Sequence, residues 1–249
     1  MTPLAQYVLR IADDHLILGQ RLSEWTGKAP TLEEELSMAN LALDCLGQTR
    51  GLLSLASQLI GDTDEDRLAF LRLEPEYVHV QLVELPNDDF AVAIARQLYF
   101  SCFMLPLWTS LTSSKEASLA AIADQSRKET AYHVRYAREW ALRLGDGTDE
   151  SHQRMQAAVD DLWPYTGELF ESDGITAQMV EQGIGPDPSS LRGPWDDMVG
   201  STLRQASLTV PEDRSWFHTG GRSGVHTEHL GHLLAEMQFM QRAYPDMKW

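Results

Sequence analysis

The chain has 249 residues, 43% of them hydrophobic and 23% charged, an ordinary globular balance and enough length to bury a large core in a single domain over residues 1–249. A formal net charge of −17 repels nucleic acid and anionic membrane surfaces, so neither is expected as a partner. Cys45 and Cys102 lie far apart within apolar helical patterns and read as small core residues, not as a disulfide or a metal clip.

The first helix is expected from Thr2, a cap residue, and Pro3, which suits a first turn because it lacks only an N–H the helix does not need. Leu4, Val8, Ile11, His15, Leu18, Leu22 and Trp25 form one stripe along it. Asp13 and Asp14 interrupt the apolar run, no basic segment precedes it, and no secretory signal is expected. Nor does any run look long and uncharged enough to span a membrane, which makes the cytoplasm the expected location.

Gly27 to Pro30 break this helix, and Thr31 opens a second with Glu34 placed for a capping box. Its stripe runs Leu32, Leu36, Ala39, Leu43, Leu46, Arg50, Leu53, Ser57, Ile60, up to Gly61. Asp62 to Asp66 read as an acidic surface turn. Glu74 to Leu85, bracketed by prolines, reads as a short helix or an extended passage. Asn87 to Asp89 cap a third long helix with Pro106 inside it, where a kink is expected. A fourth carries Leu119, Ile122, Ser126, Glu129, His133, Tyr136 and Trp140 up to Gly145. Thr148 opens a helix bearing Met155, Val159, Leu162 and Leu169, and Ser172 to Pro194 weakens into turns. A helix over Trp195 to Leu208, a loop over Pro211 to Gly224 and a last helix carrying His226 to Met240 complete an all-α bundle of six or seven main helices.

Any chemistry lies in polar residues that interrupt these stripes. A ferritin-like di-iron centre takes one carboxylate from each of two helices and a Glu-x-x-His pair from each of two others. One such pair exists, Glu76 with His79, on the proline-bracketed segment; Glu129 with His133 and Glu228 with His232 are four apart. From Phe90 through Ser114 there is no Asp, Glu or His, and the second helix offers only Asp44 between Leu36 and Ile60. A complete ligand set cannot easily be assembled, so no catalytic, cofactor-binding or metal residue is assigned. What is expected instead is a degenerate buried polar site of Asp44, Arg50, Glu129 and His133, in which Arg50 pairs with Asp13, Asp14 or Asp44, and Glu129 with His133 or another cation. The loop Gly220-Gly221-Arg222-Ser223-Gly224 could present N–H groups to an anion, but reads first as a structural turn.

Two long runs, Ala39-Asn40-Leu41-Ala42-Leu43-Asp44-Cys45-Leu46-Gly47-Gln48-Thr49-Arg50 and Thr219-Gly220-Gly221-Arg222-Ser223-Gly224-Val225-His226-Thr227-Glu228-His229-Leu230-Gly231, resemble the C-type structural subunits of phenylacetyl-CoA epoxidases (ring-1,2-phenylacetyl-CoA monooxygenases). Shorter matches at Gly61–Asp66, Arg138–Trp140, Gly145–Asp149 and Leu234–Gln238 extend the resemblance over essentially the whole chain. It implies a ferritin-like helical bundle with extra helices and a non-catalytic subunit in aerobic phenylacetate degradation. Such a subunit forms a heteromer with a related catalytic subunit, which carries the di-iron centre, and keeps it folded. A small accessory subunit and an NADPH-dependent flavin/iron–sulfur reductase are further implied, with phenylacetyl-CoA bound mainly by the partner. Substrate contacts are implied at Glu76, Tyr77, Val78 and His79 and at Ala177, Gln178 and Met179. Beside this stand a free-standing ferritin-like di-iron oxidase or iron-binding protein, and a helical binding module unconnected with oxygen.

Overall fold

The computed structural model describes residues 1–212, 216–245 and 247, so part of the expected Pro211–Gly224 loop lies outside the described residues. Among them are ten α-helices, six short 3-10 segments and no strand, which makes the fold all-α, as expected and consistent with a ferritin-like helical fold. The chain divides into two compact units, residues 1–86 with 219–249, and residues 87–218.

The first unit is built on α1 (Pro3–Ser23) and α2 (Leu32–Ile60), which pack along each other. Thr2 caps α1 by accepting from Ala5 N, and Thr31 caps α2 by accepting from Glu34 N. Close packing is permitted by Gly19, where a Cβ would sit 3.3 Å from the Cβ of Cys45. From Tyr7 to Leu18 every residue of α1 is buried, so this helix is surrounded, not half-buried as one stripe implies. The acidic turn expected at Asp62 to Asp66 holds the start of α3 (Glu65–Phe70), with Asp64 accepting from Arg67 N at the cap. Residues 74–85 contain two 3-10 turns, Glu74–Glu76 and Gln81–Glu84, joined by extended chain. Near the C-terminus come the 3-10 turn Gly221–Ser223, α9 (Glu228–Met237) and α10 (Phe239–Ala243).

The second unit pairs α4 (Phe90–Leu111) with α5 (Ala117–Gly145) and adds α6 (Asp149–Leu162), α7 (Gly174–Glu181) and α8 (Arg192–Gln205). Asp89 and Thr148 cap α4 and α6 as their positions suggest. Pro106 lies inside α4, which continues to Leu111. By length and composition α4 could cross a membrane, contrary to the sequence reading; most of it is buried, which is also the pattern of a core helix. The expected inward Leu169 is reached through two 3-10 turns after α6. α7 occupies a stretch expected to be turns: Asp173 caps it by accepting from the N–H groups of Ile175 and Thr176. Trp195 donates its indole N–H to the Tyr99 carbonyl at 2.8 Å, and the Tyr99 hydroxyl donates to the Val159 carbonyl at 3.0 Å, tying α4, α6 and α8.

A Cβ on Gly145 would stand 2.3 Å from the Ala206 carbonyl oxygen, whereas one on Gly47 would meet nothing within 4 Å. Gly145→Ala is therefore expected to destabilise the protein by about 1–3 kcal/mol through overpacking. Gly47→Ala should stabilise it by about 0.5–1 kcal/mol through helix propensity. Urea unfolding of the two variants measures both.

Candidate functional site

The charged residues that interrupt α1 organise the interior of the first unit. Asp13 is 0% exposed and receives both arms of the Arg72 guanidinium, with Nη1 2.8 Å from Oδ2. Val78 N donates to the same oxygen at 3.0 Å. Arg72 is held from behind by donating to the Leu68 and Glu76 carbonyls and lies 4.1 Å above the Tyr77 ring. Asp14 is met by Arg222, whose Nη1 and Nη2 stand 3.0 and 2.8 Å from its two oxygens, and by Val80 N at 2.9 Å. Burial pushes the Asp14 carboxyl above its ordinary range, and the Arg222 charge opposes that shift without cancelling it. Arg222 also donates to the Arg10 and Val78 carbonyls, so the glycine-rich loop turns its arginine inward as a structural bolt. Gly224 adopts φ +78, and a Cβ there would lie 2.2 Å from the Pro75 carbonyl oxygen, which requires glycine.

Beside these pairs sits a carboxylate between two imidazoles. Glu84 Oε2 is 2.6 Å from His79 Nε2 and 2.9 Å from His226 Nδ1, and all three side chains are 0% exposed. Thr227 N donates to Glu84 Oε1 at 2.5 Å, and Arg21 donates twice to the Glu84 carbonyl. The other ring nitrogen of His226, Nε2, faces the Tyr77 carbonyl oxygen at 2.9 Å. Both of its ring nitrogens thus face acceptors, an arrangement satisfied by the imidazolium form and by no neutral tautomer. His79 stacks on His226 at 4.4 Å, and burial lowers its basicity, although Glu84 opposes the shift. It donates from Nε2 to Glu84, leaving a buried Nδ1 without a hydrogen-bond partner. Burial alone would raise Glu84; the hydrogen bonds from His226 and His79 together outweigh it and bring the carboxyl down to about 2. The cluster is a buried carboxylate held by two imidazoles and one backbone N–H.

These three residues are the group among the described residues whose ligand atoms lie close enough to hold a metal, all within 4.8 Å of one another. Two imidazoles and a carboxylate are donors that suit zinc or another first-row ion. The separations to Glu84 Oε2 are hydrogen-bond lengths, and a shared-proton network accounts for them. Sequence spacing did not suggest this trio, because Glu84 lies on a 3-10 turn and His226 is 142 residues away.

The expected site residues fall elsewhere. Arg50 is on the solvent side of α2, its side chain 81% exposed and 3.5 Å from Glu65, so its assignment to a buried pair is corrected. The buried face of α2 is the one bearing Met38, Leu41, Cys45, Gln48 and Leu52, and Arg50 lies off it. The partners of Asp13 and Asp14 are Arg72 and Arg222, not Arg50. Asp44 is half-buried on α2, so it is not the buried carboxylate expected. On α5, in the second unit, His133 is buried while Glu129 is only half-buried and accepts from Gln125 at 2.7 Å. Glu228 and His232 are exposed on α9. Of the segments the resemblance implies for substrate, Tyr77, His79 and Met179 are 0% exposed, Val78 is half-buried, and Glu76, Ala177 and Gln178 face outward. Glu76 folds back to accept from Leu73 N, which sets it apart from His79. The signal that could have found the real network was Asp13-Asp14 within an otherwise apolar helix, since such charges demand buried counter-charges.

The profile of the phenylacetic acid catabolic protein family matches residues 1–249. The C subunit of the 1,2-phenylacetyl-CoA epoxidase of Escherichia coli (strain K12) is 47% identical over 249 residues, spanning the whole of both chains.

Arg72→Met strands Asp13 and is expected to cost about 3–5 kcal/mol, whereas Arg50→Met should stay within about 0.5 kcal/mol, as read by chemical denaturation. Glu84, held below its ordinary value of 4.5 at about 2, stabilises the fold above pH 4.5 and loses that contribution as the pH falls towards 2. The contribution is about 3 kcal/mol. Glu84→Gln should therefore be less stable near neutrality and show a flatter decline across that window, measured by urea midpoints against pH.

Proposed function

The chain belongs to the phenylacetic acid catabolic protein family, and on that premise we propose that it is the non-catalytic C-type subunit of a multicomponent phenylacetyl-CoA epoxidase. In this reading it forms a hetero-oligomer in the cytoplasm with a related, iron-bearing catalytic subunit and stabilises it. A small accessory subunit and an NADPH-dependent reductase complete the assembly, and the fold is of the ferritin-like kind. Phenylacetyl-CoA is bound mainly by the partner.

The observation that carries the proposal is how the buried carboxylates and imidazoles of the first unit are used. Asp13 and Asp14 are neutralised by Arg72 and Arg222, and Glu84 is held by hydrogen bonds with His79 and His226, so the interior carboxylates are engaged by the protein's own side chains. α4 brings no Asp, Glu or His at any position from Phe90 to Leu111. In the complex, the partner's di-iron centre supplies oxygen activation, and this chain supplies a rigid, charge-balanced support. A second reading, a metal-binding chain, has one observation in its favour, the donor set of His79, Glu84 and His226.

The test is metal analysis and turnover for the chain purified alone and co-purified with its partner, given phenylacetyl-CoA, NADPH and reductase. The lone chain should hold no iron and form no epoxide, and the complex should hold iron and form it. Epoxide from the lone chain, or two irons within it, would overturn the proposal. One tightly held metal lost in His226→Ala would favour the second reading.

A further inference from the structure

α2 has two apolar faces. One, with Met38, Leu41, Ala42, Cys45, Gln48, Thr49 and Leu52, is buried, and α1 packs along the helix. The other faces outward: Leu32 is 68% exposed, Leu36 58% and Leu43 64%, and it ends at Leu46, 37% exposed, whose side chain lies beside Gly19 of α1. Ala39 fills the gap between Leu36 and Leu43, so the row 32, 36, 39, 43, 46 advances in alternating steps of four and three. Single exposed leucines need no explanation, but a continuous row on one helix face does. Alternating steps of four and three make the seam by which one helix seats the knobs of another. The row turns inward at Leu53, which is 2% exposed, so the bare seam is confined to the first half of α2. Gly47, with nothing within 4 Å of a built Cβ, keeps that flank low enough for a second backbone to come near.

The charges beside the seam select its occupant. Glu33 and Glu35 border it, and no Lys or Arg occurs from Ala29 to Thr49. Glu33 and Glu35 flank Leu32 and Leu36 at the positions that set pairing preference between helices. A second copy of this chain would bring the same acidic border, and the same −17, against itself. A different chain, presenting an apolar stripe bordered by Lys and Arg, meets both demands.

We infer that the Leu32–Leu46 face of α2 is a docking surface for a helix of another subunit with an apolar stripe and a basic border. Identifying that subunit as the iron-bearing epoxidase partner rests on the function proposed above. Leu36 and Leu43 make no contribution to the core, so Leu36→Asp/Leu43→Asp leaves the fold intact and removes the seam.

The experiment co-expresses a tagged chain with the catalytic subunit and measures complex mass by light scattering and Kd by titration. Thermal unfolding of each variant run alone is the check on folding. L36D/L43D should melt as the unaltered chain does and bind the partner on the order of a hundredfold more weakly or worse. A control, Leu73→Asp/Phe239→Asp, places the same charge on exposed apolar residues elsewhere in the unit and should bind normally. E33K/E35K should weaken binding about tenfold and reverse its response to salt. Full-strength binding by L36D/L43D would overturn the seam while leaving the hetero-oligomer standing. Tighter binding by E33K/E35K would overturn the basic border. If the unaltered chain binds no catalytic subunit, the proposed function falls. A self-dimer abolished by L36D/L43D would show the seam to be used by a second copy, against this inference.

Discussion

Two adjacent carboxylates lie fully buried halfway along α1, and a charge taken out of water has to be met by another. Asp13 meets Arg72, 59 residues on, and Asp14 meets Arg222, 208 residues on. Because neighbours on a helix point in different directions, the two pairs pull two separate segments onto α1. The irregular path from Arg72 to Glu84 follows from this. Its backbone N–H groups at Val78 and Val80 are spent on the same two carboxylates instead of on helix bonds. Gly220 and Gly224, both at positive φ, bracket Arg222, and Gly224 lets that stretch come within reach of Pro75.

Once those segments are fixed, Glu84 and His226 have little choice of position. Glu84 is delivered by the 3-10 turn after Val80, and His226 by the residues leading into α9. The result is a second buried charge system built on the first. Gln238, from α9's C-terminal cap, adds a neutral clamp by donating to the Tyr77 hydroxyl and the Arg72 carbonyl. The interior of this unit is therefore specified less by apolar shape than by a chain of obligatory polar partners. Removing a single member strands another, which is why such networks tolerate loss poorly.

Helix boundaries were legible in the sequence wherever a cap residue did local work: Thr31, Asp89 and Thr148 each accept from a backbone N–H a few residues on. α3 and α7 were not, since six and eight residues are too few to establish a period, and only their capping aspartates mark them. The candidate site was half legible. That inward acids need cations could be argued from Asp13 and Asp14, but choosing the cation needed contacts across the whole length of the chain. Arg50 stands in an apolar stripe whose first half lies on the exposed face of α2 and which turns inward only at Leu53. Periodicity reports that a face is apolar; it carries no information on whether the same chain or another one covers it.

That ambiguity has a physical consequence for α2. A helix with one buried apolar face and one bare apolar face is at risk of pairing with any similar helix, its own copies first. The acidic border of Glu33 and Glu35 and the high net negative charge act against that, since like charges held beside a seam penalise self-pairing while leaving the leucines available. The acidity that at first reads as solubility thus also sets specificity. Inside the unit, acids are matched by the chain's own arginines and histidines. On α2, Glu33 and Glu35 stand beside uncovered leucines, where a basic border on another chain would match them.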